Sequence, residues 1–387
     1  MKRIVACFYI ALSWLFASGL AHAADPLKIG FVGGQTGYMA QCDQPNLKGM
    51  ELAVAQINAK GGIDGKLPIE LIARDSRSEV APSAVMAQEL LSEGVTVMIS
   101  PCDVDHSVAV AQITAAAQVP TISSCASTPS LASVGGEFMF INCTPDNLQG
   151  GVLGKYAAEQ GYKRALVLVS RDTPYTYQLP MYFADAFKKA GGELIGTVEY
   201  KLGQQDFAAE VTKIKALQPQ PDVIMTSAYE PDFPAFLKQL RSAGVTAAVL
   251  GSDGLDSPTI WGLGAVADGV VFSTAGFPVE GSSLAQFASD YKQHFGEESQ
   301  TSFNATGYDI IKIIEAAVVA TGDKTDGKSI RDAIDNLQDV QVATGKITYR
   351  GLNRIPLRSV ALNKVQDGKK TFVSTVTLQP GEIPPPN

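Results

Sequence analysis

Apolar residues along this chain recur in two alternating rhythms. Leu27–Val32 is a short apolar-rich run that reads as a buried strand. Leu47, Met50, Val54 and Ile57 then recur at spacings of 3, 4 and 3, which is one face of a helix. Gly61-Gly62 stops that helix, because glycine enters the left-handed region without a Cβ clash. Ile69–Ala73 predicts a second strand, Ala84–Leu91 a helix ending at Gly94, and Val95–Ser100 a third strand. Val108–Ala117 predicts a helix starting near Ser107, with Asp105 placed to cap it, and Val119–Ser123 a fourth strand. This β-α-β-α order specifies a parallel sheet covered on both faces.

The rhythm then restarts. Ala165–Ser170, Leu194–Tyr200, Asp222–Ser227 and Ala247–Ser252 read as strands, with helices at Met181–Ala190, Phe207–Leu217 and Phe233–Ala243 between them. Two further helices fall near Leu284–Phe295 and Ala305–Ala320. Short strands follow near Lys346–Tyr349, Leu357–Asn363 and Thr371–Thr377. The fold class is α/β, with two doubly wound parallel-sheet units. Ligands in such sheets bind beyond the carboxyl ends of the strands. Those ends fall at Gly33–Asp43, Ser100–His106, Ser123–Thr128, Arg171–Tyr177, Ala228–Pro231 and Gly251–Asp256. Two such ends facing each other make a cleft.

The start of the chain has a different character. Met1-Lys2-Arg3 is basic, Ile4–Leu20 is apolar apart from Ser13 and Ser18, and Ala21-His22-Ala23 supplies small-x-small cleavage chemistry. Residues 1–23 read as a secretory signal peptide, so the mature protein is expected outside the cytoplasm. Loss of Lys2 and Arg3 leaves 29 of the 31 Lys and Arg side chains against 39 Asp and Glu. That acidic balance is a poor match for nucleic acid or anionic lipid, and no nucleic-acid partner is expected. Cys42, Cys102, Cys125 and Cys143 survive cleavage, and an oxidising compartment permits disulfides among them in any of three connectivities. Their spacings of 60, 23 and 18 residues match no zinc ribbon, and beyond the leader histidine is limited to His106 and His294. No metal site and no cofactor are expected.

Catalytic signatures are missing from the sequence. It has no GxSxG elbow and no P-loop; Gly61–Lys66 lacks the spacing and the hydroxyl residue. Gly262–Ala267 matches a dinucleotide pattern loosely but follows no strand with a tight turn. Asp103, Asp105 and His106 form a dense polar cluster at a strand end, an acid–base pair for an exported enzyme or a contact for a ligand. A Cys–His pair of Cys102 or Cys125 with His106 has no identifiable third group to orient it, so disulfide or core roles are expected for the cysteines.

The run Leu27–Val32 with Gly33–Gly37, the stretch Ile57–Ile63 with Gly65, Arg74-Asp75-Ser76, and Ala305–Asp309 with Ala316-Ala317 together resemble periplasmic binding proteins for branched-chain amino acids. Leu27–Val32 with Gly33–Gly37 is similar to that family's first strand and loop. Ile57-Asn58-Ala59-Lys60-Gly61-Gly62-Ile63 with Gly65 is a close match to its INAKGGI-G segment. Arg74-Asp75-Ser76, and Ala305-Thr306-Gly307-Tyr308-Asp309 with Ala316-Ala317, also fit. The resemblance implies a type I periplasmic binding fold with two lobes joined by three crossings. One lobe would span 25–143 plus 274–354, and the other 144–273 plus 355–387. It implies a monomer without catalysis, closing on a small-molecule ligand and read by an inner-membrane ABC permease. An amino-acid-like ligand is the family default. An amine, an amide or a hydroxylated or aromatic molecule, taken up or reported to a sensory receptor, is the alternative.

The resemblance also implies contacts. Ala126 and Ser127 match the backbone N–H and hydroxyl that hold a ligand's carboxylate, and Asp103 stands where the family has a Ser. A carboxylate facing a carboxylate is repulsive unless one is protonated or a cation intervenes. Tyr175 and Tyr229 match aromatic cleft positions, and Asp253 matches the acid that pairs with the ligand's ammonium. Cys42 stands where the family often has an aromatic residue of the first loop, and Gln35 and Tyr38 are further candidates to face the ligand.

Overall fold

The structure is a computed structural model and describes residues 25–386. The signal-peptide segment lies outside the described residues. Two large sheets organise the chain. The first holds β1 (Leu27–Gly33), β2 (Ile69–Asp75), β3 (Val97–Ser100), β4 (Thr121–Ser123) and β5 (Met139–Phe140) in the order β2-β1-β3-β4-β5, all parallel. The second begins with β6 (Arg164–Val169), β7 (Glu193–Glu199), β8 (Val223–Thr226), β9 (Ala248–Gly251) and β10 (Val271–Thr274). These five repeat the same parallel order, β7-β6-β8-β9-β10. A separate ribbon pairs β11 (Val340–Val342) with β12 (Gly345–Ile347). The hairpin β13 (Val360–Gln366) and β14 (Lys369–Val376) then adds to β10 antiparallel, so the second sheet is mixed at one edge.

Helices cover both faces of each sheet. They are α1 (Ala40–Ala59), α2 (Val80–Ser92), α3 (Val104–Ala116), α4 (Ser130–Val134), α5 (Asp146–Glu159), α6 (Pro174–Lys189), α7 (Ala208–Ala216), α8 (Asp232–Ser242), α9 (Pro258–Trp261), α10 (Ser283–Phe295), α11 (Ser302–Ala320) and α12 (Gly327–Asp335). One face of the first sheet packs with α1, α11 and α12 through Met50, Ile57, Ile310, Ile314 and Ile330. The other meets α2 and α3 through Ala87, Leu90 and Val110. In the second sheet α7 and α8 cover one face and α5 and α6 the other. The chain passes between the two sheets three times, after β5, after β10 and before β13.

Two glycines set how close α1 and α11 lie. A Cβ on Gly49 would stand 1.8 Å from the Asn304 carbonyl oxygen, and one on Gly307 2.0 Å from that of Asn46. The last crossing is pinned by a buried ion pair. Arg358 bonds Asp309 at 3.1 Å, and both side chains are almost fully enclosed. Asp309 also accepts from the backbone N–H of Ala343 at 2.7 Å and from the Thr344 hydroxyl. Burial lifts Asp309 to about 6, against the lowering pull of Arg358 and these donors.

Candidate functional site

A cavity of about 410 Å³ lies where the carboxyl ends of the two sheets face each other. From the first side it is lined by Tyr38, Met39, Gln41 and Cys42 after β1, Cys102 and Asp103 after β3, and Cys125, Ala126 and Ser127 after β4. Thr173 and Tyr175 after β6, Tyr229 and Glu230 after β8, and Asp253 to Thr259 after β9 line the second side. Gln300, Thr301 and Phe303, at the start of α11, complete it.

Eight of the nine residues expected at the site line this cavity: Tyr38, Cys42, Asp103, Ala126, Ser127, Tyr175, Tyr229 and Asp253. Gln35 does not. Its N–H donates to Asp75 Oδ1 at 3.0 Å and its carbonyl accepts from Gln44 Nε2, so it belongs to the turn beside the cavity.

Asp253 opens a short 3₁₀ turn, Asp253–Leu255, at the end of β9. It is 6 % exposed. Its Oδ1 accepts from the Tyr175 hydroxyl at 2.8 Å and its Oδ2 from Gln149 Nε2 at 3.0 Å. A carboxylate has about four acceptor positions, so capacity remains for a donor in the cavity. Burial raises Asp253 to about 7, against the stabilising hydrogen bond from Tyr175. Tyr175 lies 2.7 Å from the Ser252 hydroxyl and accepts from Gly254 N–H. Its own proton therefore goes to Asp253. The rings of Tyr175 and Tyr229 meet at 6.2 Å between centroids. Burial raises both phenols, helped by Asp253 at Tyr175 and by Asp103 at Tyr229.

Gln149, on α5, uses all four of its hydrogen-bonding positions. Its Nε2 also donates to Thr144 O at 2.9 Å, and its Oε1 accepts from Asp253 N–H and from Ser273 Oγ. Thr144 lies on the first crossing and Ser273 on β10. Sequence reasoning missed this residue, because nothing local marks a Gln inside a helix as structural.

Asp103 differs from expectation. It, not Asp105, caps α3: its Oδ1 accepts from Asp105 N–H at 3.0 Å, and the helix starts at Val104. It also bonds His106 Nδ1 at 3.1 Å. His106 is a buried packing residue, edge-on to Tyr38 at 6.2 Å. Ser127 has its one proton directed away from the cavity, donating to Asp146 Oδ1 at 2.6 Å. Thr128 donates to the other oxygen of Asp146 at 2.6 Å. Burial lifts Asp146 to about 6 despite both hydroxyls. Toward the cavity, Ser127 thus offers acceptor capacity. Ala126 has its carbonyl held by Ser123 Oγ at 2.8 Å.

Asp43 is fully buried and ties three strand-end loops together. It accepts from Gly34 N–H at 2.7 Å, Ser124 Oγ at 2.8 Å and Cys102 N–H at 3.4 Å. Burial, and then the charge of Cys42, hold its carboxyl well above the usual range. The four cysteines are free thiols. Thiol hydrogen bonds from Cys102 and then Cys125 hold Cys42 below the usual thiol range.

Asp256 joins the two sides of the cavity. Its Oδ2 accepts from Ser302 N–H, the first residue of α11, at 2.6 Å, and its Oδ1 bonds Lys370 Nζ at 2.5 Å. Thr301, the residue at the N-cap of α11, makes no side-chain cap. An acid reaching across from the other side thus fills that role and meets the positive end of the helix dipole. The acids lining the cavity are Asp103, Glu230, Asp253 and Asp256, and no Lys, Arg or His is among the described lining residues. Gly262–Ala267, the loose dinucleotide match, is a 3₁₀ turn over Gly264–Val266 outside the lining.

A family model described as periplasmic binding protein matches residues 26–370. A curated relative, the Leu/Ile/Val-binding protein BraC3 of Rhizobium johnstonii, is 26% identical over 376 residues, covering 95% of this chain and 98% of the relative. The crystal structure of a leucine binding protein LivK from Thermotoga maritima superposes with a TM-score of 0.82 at 27% identity, covering 91% of this chain and 99% of that one. A solute binding protein from R. palustris in complex with 4-hydroxybenzoate superposes with a TM-score of 0.81 at 23% identity, covering 92% and 98%, and shares the fold.

Proposed function

Because this chain belongs to the periplasmic binding protein family, we propose that it captures a small amino-acid-like solute outside the cytoplasm and hands it to a membrane permease. The parts that close are the two lobes, 25–143 plus 274–354 and 144–273 plus 355–387, and the protein works as a monomer after removal of residues 1–23. Leucine, isoleucine and valine are named for its relatives, and this class is the first to test.

One observation carries the reading. Asp253 is buried in a cavity built from both sheets, next to two tyrosines and with acceptor capacity left. An ammonium there replaces lost hydration with a charge-assisted hydrogen bond. Its positive charge also favours the ionised carboxylate. A solute drives closure of the lobes only through its preference for the closed form.

A second reading follows from Ser127 and Asp103. The Ser127 proton is held by Asp146, and Asp103 faces the same cavity. Both favour a cargo that presents donors, such as an amine or amide, over one that presents a bare carboxylate.

Thermal-shift screening of amino acids, amides, amines and aromatic acids tests the proposal, with recovery of the cargo by mass spectrometry. The expected result is a shift from an ammonium-bearing solute, lost in Asp253→Ala, with the solute recovered intact. Covalent turnover of the cargo, or an undiminished shift in Asp253→Ala, would overturn it.

A further inference from the structure

Three cysteines far apart in sequence, Cys42, Cys102 and Cys125, meet at one wall of the cavity. Cys42 and Cys102 stand closest, beside the buried Asp43. The loops after β1, β3 and β4 bring them there, held by Asp43. The ligating atoms of Cys42, Asp43 and Cys102 all lie within 4.8 Å of one another. Cys42, Cys102 and Cys125 line the cavity, with Asp43 behind them.

We propose that Cys42, Cys102 and Asp43 form a metal site for a thiophilic closed-shell ion such as Zn(II). Sulfur ligands about 2.3 Å from a tetrahedral zinc stand about 3.8 Å apart. A sulfur and a carboxylate oxygen on the same ion stand about 3.5 Å apart, so the trio needs to contract by no more than about 1.3 Å. Thiolate and carboxylate together are a donor set that suits zinc and excludes magnesium or calcium. Asp43 accepts three hydrogen bonds, two at Oδ2 and one at Oδ1, so Oδ1 keeps a lone pair for an ion.

Charge supplies a second, independent argument. The cavity is lined by four acids and by no cationic side chain among the described residues. An ion in the wall at Cys102, next to Asp103, provides the missing positive charge. A coordination position left open toward the cavity would hold a cargo's carboxylate or amine directly. The linear spacing of the cysteines conceals all of this, because the cluster exists only once three loops converge.

The site stands independently of the cargo reading. Purified reduced protein is dialysed against Zn(II), and in parallel against Cd(II), and its metal content is measured. The expected result is one ion per chain and a sulfur-to-cadmium charge-transfer band. Affinity should fall at least ~10-fold in Cys102→Ala and in Cys42→Ser. Cys143→Ser, whose thiol bonds Ser124 O at 3.2 Å, should retain the ion. Circular dichroism establishes that each variant folds, and Cys102→Ala is decisive because its side chain faces the cavity. Absence of stoichiometric uptake, uptake unchanged in Cys102→Ala, or a Cys42–Cys102 disulfide in protein isolated from the export compartment would each overturn the proposal. None of these results alters the thermal shift that amino acids give to metal-free protein, so the two readings fail separately.

Discussion

Replacing Asp256 by Ala isolates the energy of closure. In this structure Asp256 Oδ2 accepts from Ser302 N–H at 2.6 Å, a bond between the two sides of the cavity that lobe separation would break. Its bond to Lys370 lies within one side and survives opening. The Ala variant therefore removes a charge-assisted hydrogen bond from the closed state alone. Such a bond contributes about 1.5–3 kcal/mol, less whatever water returns to Asp256 when the protein opens. Taking about 2 kcal/mol, the closed-to-open ratio falls roughly 30-fold. Apparent affinity weakens by the same factor when the cargo binds the closed form. Asp256→Asn keeps an acceptor but loses the charge, so it should weaken binding by about fivefold, in line with a neutral bond of about 1 kcal/mol. Calorimetry with the best solute from the screen measures the affinity, and small-angle scattering measures compaction with and without it. An Ala variant that binds within about twofold of the natural protein and compacts equally would show that Asp256 does not hold the cavity shut.

Other outcomes follow from groups already described. Asp253 sits at about 7 when folded and near 3.8 when unfolded. Between those values the unfolded chain has released a proton that the folded chain keeps, so this group makes stability fall as pH rises from about 4 to 7. Asp253→Asn should flatten urea midpoints across that window; an unchanged slope would place the titration elsewhere. Binding of an ammonium solute should strengthen over the same rise as Asp253 ionises, and calorimetry at pH 5 and pH 7 reads the difference. Arg358→Met leaves Asp309 enclosed without its cation and should cost about 3–5 kcal/mol in chemical denaturation. A loss below about 1 kcal/mol would mean that Asp309 takes up a proton without penalty. Gly307→Ala places a methyl group 2.0 Å from a backbone oxygen, so a loss of at least ~2 kcal/mol is expected, and a neutral result would show that α1 and α11 slide apart freely.

Much of the layout was legible in the residues. The 3-and-4 spacing from Leu47 to Ile57, the stop at Gly61-Gly62 and the alternating strands up to β9 all appear in the fold. α5 did not show, and its composition explains why. Gly150, Gly151 and Gly154 read as helix breakers, yet Gly150 and Gly154 admit the close approach of α6: a Cβ on them would lie 2.6 Å from Tyr182 Cβ and 2.7 Å from Ala186 Cβ. With Asn147 and Gln149 also buried, a polar face is confined to Lys155 and Glu159 near the end of α5, too little to give a period. The cavity residues at strand ends were found because topology places them there. Their hydrogen-bond partners were not, since Asp146 meets Ser127, Asp256 meets Ser302, and Asp43 meets Ser124, at separations no local pattern carries. Asp103 illustrates the middle case: it sits in the cavity lining as the resemblance implied, while also capping a helix assigned to Asp105.

Gln149 connects recognition to mechanics. One amide grips the acid proposed to sense the cargo and, on its remaining atoms, Thr144 of the first passage and Ser273 on β10. Selectivity and stiffness therefore share a single part. Re-engineering this protein for a new cargo by changing Asp253 would also retune how readily it swings, and a sensor built on it would report through that same joint.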